Sequence, residues 1–284
     1  MKASKHIVIG SNSFLGNILS KKIADKNLET LGVFHKNTNN LYEGINHIPI
    51  SKLKNLKTDI DVVYIVSAFV PKPTEKVIKQ KLFEVNQQLV ADICKQFKNS
   101  KIVYCSSVSV YKSSEKKVNE ESILSPKTLY GESKRLGEDI VKKHKDYAIV
   151  RISSMYGVNM KPTTFLPLII KSALKNNQIK LYGNGKRQQN YIHVNDVADY
   201  LIAASYYPKN DVFLAVNSMS ISNIVVANTV KDFLENINIK FQGEDNSKSY
   251  FYDNTQTNSK LKLKPKKEFK IEVKNVIEWM KKEL

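Results

Sequence analysis

Apolar residues fall along this chain in short runs, each followed by a longer segment whose apolar positions recur at helical spacing. "HIVIG" (His6–Gly10) is a short run of this kind, and "FLGNILSKKIADK" behind it has the spacing of an amphipathic helix. "TLGVF" (Thr30–Phe34) and "DVVYIVSAF" (Asp61–Phe69) predict further strands. "EKVIKQKLFEVNQQLVADICKQFKN" predicts one long helix or two joined. "KIVYCSSVSVY" predicts another strand, a polar loop runs to Pro126, a helix opens near Tyr130, and "YAIVRIS" (Tyr147–Ser153) predicts the next strand. Strands that alternate with helices in this way predict an α/β fold, a doubly wound parallel sheet covered on both faces.

The last third is less regular. "TTFLPLIIKSALKNN" reads as a helix, "YIHVNDVADYLIAASYY" as a strand turning into a helix near Asn195, and Asp196 is expected to begin or cap that helix. "DVFLAVNS", "SNIVVANTVKDFLENIN" and "EVKNVIEWMKKEL" follow with no clean linker, so a second, smaller lobe is expected to be interleaved with the first.

Composition narrows the class. Hydrophobic residues at 42% and charged residues at 25% over 284 residues are ordinary for a globular protein. No apolar run is long enough to cross a bilayer, and no signal-peptide core is visible, so a cytoplasmic protein without membrane contact is expected. Cys94 and Cys105 form no metal spacing and no disulfide framework, and no metal site is predicted. The net charge of +18 would suit nucleic acid, but Lys is spread along the whole chain beside abundant Asn. The densest basic stretch, Lys260–Lys270, has no stacking-aromatic or Arg-rich pattern, so no nucleic-acid partner is predicted. The charge does favour anionic small molecules.

Chemistry enters at "GSNSFLG", where Gly10, Ser11, Asn12, Ser13, Phe14, Leu15 and Gly16 join the first strand to a helix. Glycines at such a turn let backbone N–H groups and the helix N-terminus meet a pyrophosphate. Ser13 stands where a middle glycine is expected. The second strand ends "GVFHKNTNN", with His35 and Lys36 and no acid to hold a ribose hydroxyl or repel a 2′-phosphate. This favours NADP(H) as cofactor, with NAD(H) possible.

"LYGESKRLGEDIV" (Leu129–Val141) puts Tyr130 and Lys134 on one helix face, one turn apart, where an ammonium would pull the phenol pKa down. The order of glycine turn, "YCSSVSVY" and Tyr130–Lys134 resembles the extended short-chain dehydrogenase/reductase family of nucleotide-sugar epimerases, dehydratases and reductases. "RISSMYGVN", "LYGNGKRQQNYIHVNDVADYL" and "NSKLKLKPKKEF" extend the resemblance over nearly the whole chain. It implies a Rossmann-type sheet over 1–155, with 189–205 returning to it, and a substrate lobe from 156–188 and 206–284. It implies Tyr130 as general acid/base, Lys134 as the residue that tunes it and holds the nicotinamide ribose, and Ser107 as the hydroxyl on the substrate oxygen. It places Ser67, Ala68, Phe69 and Asn86 at the cofactor. Ser109, Ser154, Phe165, Arg187 and Gln189 fall at the substrate. It also implies a nucleotide-sugar partner, a homodimer through paired long helices, and a role in polysaccharide precursor synthesis. His193 and Tyr156 are expected to support the structure rather than the chemistry.

Three readings of the reaction stay open. Dehydratases of this family follow the catalytic hydroxyl with an Asp-Glu pair, and Ser107-Val108-Ser109 has none. Reduction of a 4-keto deoxyhexose by NADPH is favoured by the basic end of strand two and by Ser154, where epimerases often have Asn. An NAD-dependent C4 epimerase is the alternative, and a non-catalytic NADP-binding regulator a third. Gln189 replaces the family's phosphate-gripping Arg, and Arg187 two residues earlier is expected to take its task.

Overall fold

The computed structural model describes residues 4–56, 59–71, 78–112 and 117–284. The first half alternates strand and helix. In chain order come β1 (Lys5–Ile9), α1 (Phe14–Ala24), β2 (Glu29–Phe34), β3 (Asn46–Pro49), β4 (Val62–Ile65), α2 (Ile78–Phe83), α3 (Leu89–Gln96) and β5 (Lys101–Ser107). After them come α4 (Leu129–Val141), β6 (Tyr147–Ile152), β7 (Ser154–Tyr156), α5 (Phe165–Asn176), β8 (Gln178–Tyr182), β9 (Gln188–Gln189), β10 (Tyr191–His193) and α6 (Val194–Tyr206). The chain ends with β11 (Asp211–Ala215), β12 (Ile221–Ser222), α7 (Asn223–Lys231), β13 (Asn238–Gln242), α8 (Thr255–Leu261) and α9 (Phe269–Glu283).

Seven strands form one sheet in the order β11-β6-β5-β4-β1-β2-β3, parallel at every pairing. The central strands are apolar on both faces, as helices on each side require: all four residues of β4 and all seven of β5 are buried. The strand order reverses between β1 and β4. In an open α/β sheet the crevice beyond the strand ends at that switch point is where ligands bind. The doubly wound fold expected from the pattern is therefore present.

The predicted long helix is α2 and α3 joined through a π-turn at Glu84–Gln88, although the first residues of that run lie outside the described segment. A π-turn inserts an extra residue into the ladder and re-aims a side chain, often at a functional site. Here the re-aimed side chain is the buried Asn86.

Two boundaries differ from expectation. Asp211–Ala215 and Thr255–Leu261, assigned above to the substrate lobe, belong to the first layer: β11 completes the large sheet against β6, and α8 packs on α6 and β11. The burial of Phe213, Leu214 and Ala215 at 0% exposure explains why this strand joins the sheet. The second lobe has its own core, formed by α5, α7, α9 and β8 around Leu166, Ile170, Ile179, Val226 and Ile277. Asp196 also does not cap its helix. His193 does, its Nδ1 accepting from Asn195 N at 3.3 Å, while Asp196 accepts from the N–H groups of Lys266 and Lys267 at 3.1 Å each.

Candidate active site

The glycine turn sits at the switch point. Gly10 has φ +95°, a conformation L side chains rarely adopt, and a Cβ there would lie 2.8 Å from Ser67 N at the end of β4. A Cβ on Gly16 would lie 2.0 Å from Gly10 O, so only glycine lets α1 start this close to β1. Ser13, which replaces the middle glycine, is the N-cap of α1 and accepts from Gly16 N at 3.0 Å. Its departure from the glycine pattern thus has a local use. Ser11 is buried and touches His47 Nδ1 at 3.2 Å. Asn12 donates to Asn37 O at 2.7 Å, which ties the turn to the loop after β2. Phe14 and Leu15 turn their side chains into the cores. His35 and Lys36 are exposed on that loop, and neither has an ion-pair partner among the described residues.

Across the switch point, Ser67, Ala68 and Phe69 follow β4. Asn86 holds this segment: its Oδ1 accepts from Phe69 N at 2.8 Å and its Nδ2 donates to Phe69 O at 3.0 Å and Ser133 Oγ at 2.9 Å. Ser133 in turn donates to Tyr130 O at 2.7 Å. One buried amide therefore joins the segment after β4 to the first turn of α4.

Helix α4 opens at Thr128, whose side chain accepts from Gly131 N at 3.0 Å. That cap puts Tyr130 in the first turn and Lys134 in the second. Ser107 lies near enough to the Tyr130 hydroxyl to lower its pKa, and Ser107 Oγ contacts Ser109 Oγ and accepts from Ser109 N, both at 3.1 Å. Burial pushes the Tyr130 phenol up, the Cys105 thiol adds to this, and Ser107 offsets only part. The direction is the opposite of the lowered phenol pKa expected from the sequence: desolvation is the largest cause, and Tyr130 is a neutral O–H donor.

Lys134 is 1% exposed and its Nζ has no hydrogen-bond partner. Burial lowers its pKa to about 8, against raising contributions from Cys105 and Glu138. An orphaned buried ammonium calls for a ligand that supplies acceptors. Together with the glycine turn, these residues fit a nicotinamide dinucleotide, with the pyrophosphate at Gly10–Gly16 and ribose hydroxyls at Lys134.

An open cavity of about 190 Å³ is lined by Val108 and Ser109, which follow Ser107, and by Thr128 at the start of α4, although Ser107 and Tyr130 themselves are not among its lining residues. The structure gathers four of the expected substrate residues around it, namely Ser109, Ser154, Arg187 and Gln189. The fifth, Phe165, lines a second cavity that shares Arg187 with the first. Gln189 does not face an anion freely: its Nε2 donates to Asn223 Oδ1 at 2.8 Å. Arg187 has no acidic partner among the described residues and makes one long contact, Nε to Lys248 O at 3.5 Å. Lining residues that the sequence did not reveal include Lys127, Asn190, Tyr250 and Tyr252. Only the loop in "SYFYD" carries a trace, two tyrosines at strand alternation.

The comparisons agree with this geometry. The sequence model of the NAD dependent epimerase/dehydratase family matches residues 6–214. A Dictyostelium discoideum protein named dTDP-D-glucose 4,6-dehydratase is 28% identical over 234 residues, covering 68% of this chain and 53% of its own. The Bacillus subtilis protein YtcB, named an uncharacterized UDP-glucose epimerase, is 26% identical over 213 residues, covering 69% of this chain and 63% of its own. The chain thus spans a little over half the length of these relatives. Among solved structures, a UDP-N-acetylglucosamine 4-epimerase from Methanobrevibacter ruminantium in complex with UDP-N-acetylmuramic acid shares the fold with TM-score 0.89, 19% identity and 100% of both chains covered. A UDP-glucuronic acid 4-epimerase from Bacillus cereus in complex with UDP-glucuronic acid and NAD does so with TM-score 0.87 and 19% identity, covering 99% of this chain and 100% of that one. With the sheet order, the glycine turn and the Ser107–Tyr130–Lys134 group already in place, the matched span shows that this chain belongs to the NAD dependent epimerase/dehydratase family.

Proposed function

We propose that this chain reduces a 4-keto deoxyhexose carried on a nucleotide, with NADPH as reductant and Tyr130 as proton donor. The carrying observation is the cavity lined by Ser109, Thr128, Ser154 and Arg187: among the described residues, none that lines it is a carboxylate. Eliminating water across two sugar carbons needs an acid and a base at that wall, whereas reducing a carbonyl needs one proton donor. Tyr130, neutral and close to Ser107, is that donor. The cofactor, when bound, supplies the hydride. Ser107 steadies the carbonyl oxygen, Lys134 holds the ribose, and Arg187 receives the phosphates bidentately.

His35 and Lys36 support NADPH, since an exposed lysine beside an exposed imidazole, with no acid in that loop end, suits a 2′-phosphate. Calorimetry on nucleotide-stripped protein is expected to find NADPH bound at least about tenfold tighter than NADH, as one or two charge-assisted hydrogen bonds would give. A preference for NADH would sink the NADPH assignment. The C4-epimerase reading is favoured by the relatives named as UDP-glucose epimerases, and it requires tightly held, slowly exchanging NAD. The reductive rate is also expected to fall as pH rises above about 8, because the lowered Lys134 pKa puts loss of its ammonium there. A pH profile flat to 10 would contradict that role for Lys134.

Two further assignments belong to this reading. The lobe built around α5, α7 and α9 binds the nucleotide sugar, and two copies of the chain pair through α3 and α4. The free thiols Cys94 and Cys105 suit a reducing, cytoplasmic setting. Sedimentation at micromolar concentration would reveal a monomer if the pairing is wrong.

A further inference from the structure

The Lys134 ammonium presents a charge problem. A buried ammonium normally finds a carboxylate. The acid on its own helix, Glu138 one turn on, is already committed. Its Oε1 accepts from Ser106 Oγ at 2.6 Å and Arg151 Nε at 2.9 Å, and its Oε2 from Arg151 Nη2 at 2.7 Å. Lys142 Nζ also stands 4.0 Å from Oε2. Glu138 therefore mainly balances Arg151 of β6.

The other groups around Lys134 are neutral. From β5, the Cys105 thiol is pushed up to about 11 by burial. From α4, Tyr130 is a neutral phenol. From the π-turn, the Asn86 amide is spent on Phe69 and Ser133. What the ammonium does meet is the face of Tyr104, with Nζ 4.1 Å from the ring centroid.

Tyr104 is 0% exposed, and its hydroxyl is buried without a partner. The polar end of the side chain is thus unused while its ring face carries the contact. The ring is also held in place: a Cβ on Gly137 of α4 would lie 2.3 Å from the Tyr104 hydroxyl, so the helix and the ring are in close contact.

We propose that Tyr104 is a positioning residue for Lys134, its ring face keeping the buried ammonium charged and aimed at the site where no carboxylate is free to do so. The negative face of an aromatic ring attracts a cation, and more strongly when water is excluded. Burial already lowers the Lys134 pKa, and without the ring the ammonium would be lost closer to neutrality.

The proposed function enters only in giving Lys134 a task. The test is therefore made on protein without nicotinamide, where its outcome does not depend on turnover. With isotope-labelled lysine, the Lys134 ε-methylene signal is displaced by the ring current and is assigned by its loss in Lys134→Met. Its titration is followed with Tyr104 replaced by Phe, and then by phenylalanines carrying one, two and five fluorines. Fluorination cancels the charge on the ring face and keeps its shape, so the core is not emptied as in Tyr104→Leu. Phe is expected to titrate within about 0.3 pH unit of the native protein. The most fluorinated ring should titrate about 1 unit lower, a tenfold loss of proton affinity, with the others graded between. Two results would overturn the proposal: a midpoint unchanged along the series, or a full drop already with Phe, which would assign the effect to the hydroxyl.

Discussion

A Tyr130→Phe variant is expected to fold, retain its cofactor and turn over substrate about 10²–10⁴-fold more slowly, the usual contribution of one positioned general acid. That corresponds to about 3–5 kcal/mol in the barrier. The fold should tolerate the change because it removes only the hydroxyl and leaves the ring that packs in the first turn of α4. Cofactor affinity should stay within about threefold, because the groups assigned to the nucleotide are the glycine turn and Lys134 and not the phenol. Steady-state turnover with calorimetry on the same preparation separates the outcomes. Turnover within about tenfold of native would remove Tyr130 from the chemistry. No turnover by the native chain on any keto sugar nucleotide, with cofactor bound, would point instead to a cofactor-sensing regulator.

The largest expected loss of stability lies behind the site, at the Glu138–Arg151 pair. Both side chains are buried, at 0% and 2% exposure. Beyond Glu138, the Arg151 guanidinium donates to Tyr111 Oη at 2.6 Å and Glu120 O at 2.9 Å, and it lies 4.7 Å over the Tyr111 ring. Arg151→Leu leaves the Glu138 carboxylate buried with Ser106 as its main donor. Breaking a buried pair from one side costs about 3–5 kcal/mol. Against a typical total of about 5–15 kcal/mol, that brings the variant near its unfolding threshold. Urea denaturation is expected to show this as a lower midpoint with an unchanged slope. The double variant Glu138→Leu with Arg151→Leu should be more stable than Arg151→Leu alone, because it removes the uncompensated charge. If the double variant is less stable than the single one, the pair's value lies in packing and not in charge compensation.

Much of this protein is legible from residue order because the signals concerned are local. Five of the seven strands of the large sheet, β1, β2, β4, β5 and β6, are short apolar runs that need no partner to be recognised. The first turn of α1 is marked by Gly10 and Gly16, and that of α4 by Thr128 two residues before Tyr130. The Tyr130–Lys134 spacing follows from helical geometry alone.

The remainder depends on residues distant in sequence. β3 at the sheet edge is half-exposed, carries no apolar run and exists through its pairing with β2. β8 and β13 pair across 60 residues, Gln178 with Asn238, and β11 joins a sheet whose neighbouring strand ended at Ile152. The substrate cavity draws Ser109, Lys127, Ser154, Arg187 and Tyr250 from separate segments, and no spacing announces that assembly.

Charge states show the division most clearly. Residue order determined that a phenol and an ammonium share one helix face. Only tertiary packing decided that burial would raise the first and lower the second, that Arg151 would claim Glu138, and that a tyrosine ring would be left beneath the ammonium. Helical spacing is a property of neighbouring residues, whereas desolvation is set by whatever the whole chain packs around them.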